Sequence, residues 1–356
     1  VTPSRTARAA GALYGLAIGD ALGMPTQSLP RALIVDRYGE LLDGFHPAPD
    51  DQPLAAGMPA GAITDDTEQA MLLGELVVSS HGKIDGHELA RKLLAWEDSM
   101  RARGSLDLLG PSTKRAIDEL LAGTDITETG RFGTTNGAAM RITPVGIATS
   151  LHFNGLLLDR VVAASAATHN TGLALSAAAA VATAVSAGID GATVIEAIPL
   201  AIQAASAAAG HGHWTAGADV ATRIAWATSL ITSADRADPT LTGTPLIDTA
   251  PGTTPPRPGA VSALVYDLIG TSLASQESVP AAFAVLAAYP DDPWLVCRLA
   301  ASVGGDTDTI AAIAGAIAGA CHGLDAFPAD ARRTVAQVNN LYLDDLAARL
   351  LEVRDA

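Results

Sequence analysis

Two short stretches concentrate oxygen-bearing side chains: Thr64-Asp65-Asp66-Thr67-Glu68 and Gly304-Gly305-Asp306-Thr307-Asp308-Thr309. Each opens an apolar, helix-periodic run, where one Asp or Thr suffices to cap the amides of a first turn. Capping explains one such residue per helix and leaves the repetition unexplained. Clustered carboxylates repel one another unless a cation or a proton intervenes. Aspartate, threonine hydroxyl and water are hard donors suited to Mg²⁺ or Mn²⁺, and no Cys or His stands beside them as zinc would favour. If the segments meet, Thr64, Asp65, Asp66, Asp306, Asp308 and Thr309 supply enough oxygens for two octahedral ions with waters left over. Such a pair can chelate a diol or a phosphate and orient a water nucleophile. Aspartate pairs are common in a chain of 356 residues, so the spacing alone does not single out this chemistry.

Other residues carry two readings each. Gly15-Leu16-Ala17-Ile18-Gly19-Asp20-Ala21-Leu22-Gly23 would let backbone approach a site around Asp20, and close helix packing explains its glycines equally well. Asn136 and Gly137 offer an amide and nearby backbone N–H groups to a ribose or phosphate, or simply form a turn. Arg141 suits a phosphate or a structural carboxylate. His169 lies between apolar stretches, as a substrate contact or a satisfied core histidine. His211 and His213 have metal-ligand spacing, but Gly210, Gly212 and Trp214 around them indicate a loop.

The elements that must position these residues are helices. Hydrophobic residues make up 49% of the chain and aromatics only 4%, so alanine and leucine supply most of the apolar surface. Alanine is the best helix former, whereas strands favour aromatic and β-branched residues. Helical periodicity predicts helices over residues 9–22, 68–79, 86–100, 112–122, 158–167, 173–187, 192–208, 218–229, 261–272, 278–288, 293–303, 309–322 and 330–349. Gly and Pro punctuate them, and residues 233–258, with six prolines, read as a long surface loop within one domain spanning 1–356. A formal net charge of −16 excludes nucleic-acid binding through a general basic field. It leaves room for a phosphate-bearing ligand at a bound cation, and also serves solubility. Cys297 and Cys321, in apolar stretches and without ligand spacing, read as buried free thiols in a reducing cytoplasm. The run 9–18 after Arg5 and Arg8 mimics a secretory signal, but Asp20 and four glycines make it a better part of a site than a leader. No membrane span is expected.

In this order, the Gly15–Gly23 motif, Thr64-Asp65-Asp66-Thr67, Thr135-Asn136-Gly137-Ala138-Ala139-Met140-Arg141, Thr168-His169 and Gly304–Thr309 resemble the ADP-ribosylglycohydrolase family, over most of the chain. The resemblance implies a single compact, orthogonal multi-helix all-α domain. It also implies a pair of magnesium ions, replaceable by manganese, on Thr64, Asp65, Asp66, Asp306, Asp308 and Thr309. Catalysis would then fall to Asp65, Asp66 and Asp306. Substrate contacts would come from Asp20, Gln27, Asn136, Gly137, Met140, His169, Gly304 and Gly305. The implied reaction is hydrolysis of an N-ribosyl bond, of the ADP-ribosyl-arginine type or in a ribosylated small molecule. The chain departs from the family pattern in one place. Many members carry a glutamate a few residues after the Gly-Asp-Ala-Leu-Gly motif, where this chain has Gln27. Glutamine hydrogen-bonds but cannot exchange a proton as a carboxylate does. Asp65, Asp66, Asp306 or Glu68 would have to take over, or the substrate differs, or the protein binds without turnover.

Overall fold

The computed structural model describes residues 2–104, 109–153, 155–233 and 256–356. The all-α expectation holds: among the described residues there is no strand, only three isolated bridges between loops. Of the predicted proline-rich loop 233–258, residues 234–255 lie outside the described residues; Ser233 ends the helix Val220–Ser233 and Pro258 opens the helix Pro258–Leu264.

The frame is an antiparallel pair of helices from opposite ends of the chain, Arg5–Gly23 and Thr307–His322. Glycine makes their contact possible. A Cβ on Gly15 would stand 2.1 Å from Gly315 O, one on Gly19 2.0 Å from Ala311 O, and one on Gly23 2.4 Å from Asp308 Cα. Side chains at i and i+4 stack on one helix face, so Gly11, Gly15, Gly19 and Gly23 form a smooth stripe along which backbone meets backbone. This ladder sets the depth at which the second aspartate segment sits against the first helix.

Around the pair lies the helix Gly172–Ile189, so rich in alanine that every residue from Leu173 to Ile189 is buried. It is long and apolar enough to cross a membrane, yet 94% of it is buried inside the protein, as a core helix is. Val194–Ala208, Ser275–Ala288, Thr143–Ile147 and Leu156–His169 pack on it. One main apolar cluster runs through all these helices, and Cys297 and Cys321 lie in it as free thiols. A separate small cluster of Met24, Ala48, Ala55 and Ala62 sits under the loop that precedes the first aspartate segment.

The predicted helix over 330–349 is two, Ala329–Asn339 and Leu343–Asp355, broken where Asn340 turns left-handed at φ 53°. Asparagine is among the few non-glycine residues that adopt this conformation readily. The predicted 261–272 helix ends early, Pro258–Leu264 passing into a π-turn over Val265–Ile269. Arg31–Tyr38 and the short Ile126–Thr129, Gly137–Met140 and Thr143–Ile147 helices escape a periodicity reading because each presents too few turns.

Candidate active site

The two aspartate segments meet. Thr64 precedes the helix Asp65–Ser79, and Asp306 precedes Thr307–His322, so both segments are helix N-termini directed at one place. Asp66 is where they join: its Oδ2 lies 3.3 Å from Thr64 Oγ1, whose proton goes to Asp20 Oδ1 at 2.8 Å, and 3.2 Å from Thr309 Oγ1 of the other segment. Beside this junction lies a cavity of about 310 Å³. Asp65, Asp306, Asp308 and Thr309 form its acidic wall, and Gln27, Thr135, Asn136, Gly137 and Met140 stand around it. Leu54, Leu109, Pro111 and Leu273 give it apolar sides that the sequence reading did not anticipate.

Each acidic group is held from behind. Asp65 Oδ2 accepts from Gln69 Nε2, one helical turn on, at 2.8 Å. Asn136 Nδ2 donates to Asp306 Oδ2 at 2.5 Å and to Ser278 Oγ at 2.9 Å. With both amide protons so engaged, the NH₂ of Asn136 serves to hold Asp306, and a ligand would meet only its oxygen. Burial pushes Asp306 up to about 6, against the downward pull of its hydrogen bonds with Asn136, Thr309 and Asp308. Asp66 is raised well above the carboxylate range, first by burial and then by the charges of Asp308, Asp65, Asp20 and Asp306. Its Oδ1 is buried with no hydrogen-bond partner.

The arrangement tests whether a divalent cation fits. A buried carboxylate oxygen without a partner, amid four other carboxylates, is costly unless a positive charge or a proton meets it. Among the described residues no three acidic, histidine or cysteine side chains form a group able to hold a metal by themselves. A cation here would therefore draw also on the hydroxyls of Thr64 and Thr309 and on water. That set of hard oxygens suits Mg²⁺ or Mn²⁺.

Several residues fall elsewhere than the sequence reading put them. Asp20 is fully buried and does not line the cavity. Both its oxygens accept from Thr64 N, at 3.0 and 3.1 Å, and Oδ2 accepts from Thr67 N at 3.0 Å, with the two threonine hydroxyls adding to them. It caps the Asp65–Ser79 helix from another helix, a role the glycines around it hide in the sequence. Burial pushes it up to about 6 although these hydrogen bonds pull it down. Gly304 and Gly305, at φ 92° and 75°, are likewise outside the lining. Gly305 pairs with the Gln27 turn, Ser28 N donating to Gly305 O and Gly305 N to Leu29 O, and a Cβ there would stand 2.3 Å from Thr271 O. His169 is fully buried behind Thr135, and a Cβ on Gly137 would lie 2.9 Å from its Cε1. Arg141 is buried as well, bonded to Gln69 and Thr168. Glu68 turns away to Trp96 Nε1 and Arg103. His213 bonds to Thr127 O, and neither it nor His211 lines the cavity.

Gln27 does reach the cavity. It is only 4% exposed, and its Nε2 has no hydrogen-bond partner. Gln52 fixes the turn beneath it, donating to Gln27 O at 2.8 Å while its Oε1 accepts from Leu54 N and Ala55 N.

Comparison with known proteins agrees with this architecture. A family model described as ADP-ribosylglycohydrolase matches residues 1–356. An uncharacterized protein of Escherichia coli strain K12, YegU, is 32% identical over 353 residues, 98% of each chain. The ADP-ribosyl-[dinitrogen reductase] glycohydrolase of Rhodospirillum rubrum is 31% identical over 173 residues, 47% of this chain and 53% of that protein. A solved structure titled ADP-ribosylglycohydrolase-related protein complex superposes with a TM-score of 0.63 over 98% of this chain and 99% of that one; at 24% identity it speaks for the fold.

Proposed function

The chain belongs to the ADP-ribosylglycohydrolase family, a family of glycosyl hydrolases, and from that premise we propose that it hydrolyses the N-glycosidic bond of an ADP-ribosyl group, with ADP-ribosyl-arginine as the first candidate substrate. The observation that carries this reading is the junction at Asp66, where two distant segments bring together four carboxylates, Asp65, Asp66, Asp306 and Asp308, and the hydroxyls of Thr64 and Thr309 beside one cavity. The residues that would hold a magnesium pair are Thr64, Asp65, Asp66, Asp306, Asp308 and Thr309. When bound, the ions would polarise and orient the ribose hydroxyls.

The chain's own groups supply the rest. Asp65, fixed on the cavity wall by Gln69, takes the proton from the attacking water. Asp306, locked by Asn136, faces the anomeric carbon and stabilises the positive charge that develops as the bond breaks. Asp66 stands one layer deeper and ties the two segments together. Gln27 cannot act as acid or base, and it points its free amide at the substrate to orient it. Leu54, Leu109, Pro111 and Leu273 give the substrate apolar walls to pack against.

The test is release of ADP-ribose from ADP-ribosyl-arginine with Mg²⁺ present and after chelation. The expected result is metal-dependent turnover that falls at least about 100-fold in Asp66→Asn and Asp306→Asn. Turnover that survives both changes would sink the proposal. A second reading has one observation in its favour. The cavity of about 310 Å³ is at the small end for ligand sites, which favours a small ribosylated metabolite or nucleoside. Faster release from simple ribosides than from ADP-ribosyl-arginine would select it. Tight ADP-ribose binding without turnover on any riboside would instead mark a non-catalytic binder.

A further inference from the structure

Behind Thr135, on the cavity wall, runs a buried chain of hydrogen bonds that the reaction above does not use. Arg141 Nη2 donates to Thr168 Oγ1 at 2.6 Å. Thr168 Oγ1 lies 2.8 Å from His169 Nδ1, and His169 Nε2 lies 3.0 Å from Thr135 Oγ1. Arg141, Thr168 and His169 are each at most 1% exposed. Solvent therefore has no part in deciding which atom donates to which.

The direction follows from counting protons. A guanidinium only donates, so Thr168 Oγ1 accepts from Arg141 and has one proton of its own to give. Two acceptors are within reach, His169 Nδ1 at 2.8 Å and Ser165 O at 3.5 Å. The second exceeds the ordinary length of a hydroxyl hydrogen bond, and the first does not. With Nδ1 as acceptor, the single proton of a neutral imidazole sits on Nε2 and is donated to Thr135 Oγ1. Burial, and then the charge of Arg141, hold His169 well below the usual histidine range, so the ring stays neutral. The absence of a side chain at Gly137 leaves the ring its place beneath the cavity floor. Thr135 has then accepted from behind and keeps its own proton for whatever stands in front.

We propose that Arg141, Thr168 and His169 form a polarity relay that presents Thr135 Oγ1 to the cavity as a hydrogen-bond donor, so that the site selects an acceptor oxygen of its ligand at that point. Gln27 lines the same cavity, and its Nε2, buried and without a partner, supplies a second donor for the ligand. A hydroxyl, carbonyl or phosphoryl oxygen meets this pair, and an N–H donor in either place does not. Thr135 makes the contact; Thr168, His169 and Arg141 are positioning residues that act through it.

The direct test is a long-range ¹H–¹⁵N spectrum of the full chain with labelled histidine, His169 being assigned by loss of its signals in His169→Gln. The expected form is the Nε2–H tautomer, kept in Thr168→Ser and shifted toward Nδ1–H in Thr168→Val. An Nδ1–H tautomer in the unsubstituted protein would overturn the relay. This reading needs no substrate, so it decides the relay whether or not the ADP-ribosyl assignment stands. A second arm rests on that assignment and titrates ADP-ribose. Thr135→Val and Thr168→Val should each weaken binding about tenfold, the size of one hydrogen bond, and the double variant should be no weaker than Thr135→Val alone. Independent, multiplying losses would overturn the relay. Failure of the unsubstituted protein to bind ADP-ribose would count against the substrate assignment only.

Discussion

The first helix, Arg5–Gly23, ends in two buried charges of opposite sign, and they live by different rules. Arg8, near its start, places Nη1 against Gly188 O at 3.0 Å, Ala320 O at 3.2 Å and Cys321 O, the last carbonyls of two neighbouring helices. Arg354 joins the same end of the molecule, bonded to Gly146 O, Ile147 O, Thr149 O, Ser186 Oγ and Asp190. Asp20, three turns along, meets the first amides of the Asp65–Ser79 helix. Both ends thus answer the partial charges of helix termini. The arginine end is closed: neither guanidinium leaves a buried polar atom without a partner. The aspartate end is crowded with like charges, leaves Asp66 Oδ1 unmet, and opens on a cavity. The difference separates charge that is fully met within the fold from charge that is not.

That contrast can be broken by substitution. Arg354→Ala should cost the most, about 3 kcal/mol or more of unfolding free energy, because several buried carbonyls lose a donor and Asp190 the nearer of its two arginine partners. Urea denaturation measures it, and turnover per folded molecule should not change. At the other end the sign should reverse. In metal-stripped protein Asp66→Asn should raise stability by about 1–2 kcal/mol, since it removes a carboxylate repelled by four others, while abolishing the magnesium-induced rise in Tm. A drop in stability with the magnesium effect intact would show that Asp66 is a structural group like Arg354.

The smallest effect is the most diagnostic. Asp20 and Asp306 titrate near 6 when folded, against an ordinary carboxylate value near 4 in the unfolded chain. The folded state therefore binds more protons between these values, and stability falls as pH rises through 6. Lowering pH from 7 to 5 should stabilise metal-stripped protein by about 1 kcal/mol per group, and saturating Mg²⁺ should flatten the dependence. A stability that instead rises from pH 5 to 7 without metal would contradict the crowding of charge at this end.

Much of this was legible in the sequence, and the unread part has a physical reason. Helices showed wherever periodicity ran for three turns or more, and the aspartate segments showed because capping does not need so many oxygens. What a linear reading lacked was depth. Asp20 and His169 stand out by type, but only the fold shows that each works from behind another residue, Thr64 in one case and Thr135 in the other. Asn136 was noticed for its amide, yet that amide is already engaged by Asp306 and Ser278. Leu54, Leu109, Pro111 and Leu273 carry no chemical signal at all and become cavity walls only by position.

The glycine ladder has a consequence in time. It joins residues 11–23 to residues 308–323, so the helix pair that frames the cavity forms only once nearly the whole chain is available. Contacts this distant in sequence must overcome a large closure entropy before they return any energy, and they form late in folding. During synthesis the strip of bare glycine backbone at residues 11–23 must wait until residues 308–323 have been made, with its apolar flanks exposed to other chains. Cation binding at Asp66 would accordingly report on the finished molecule: a chain stopped before residue 307 has the first acidic segment and nothing to close it.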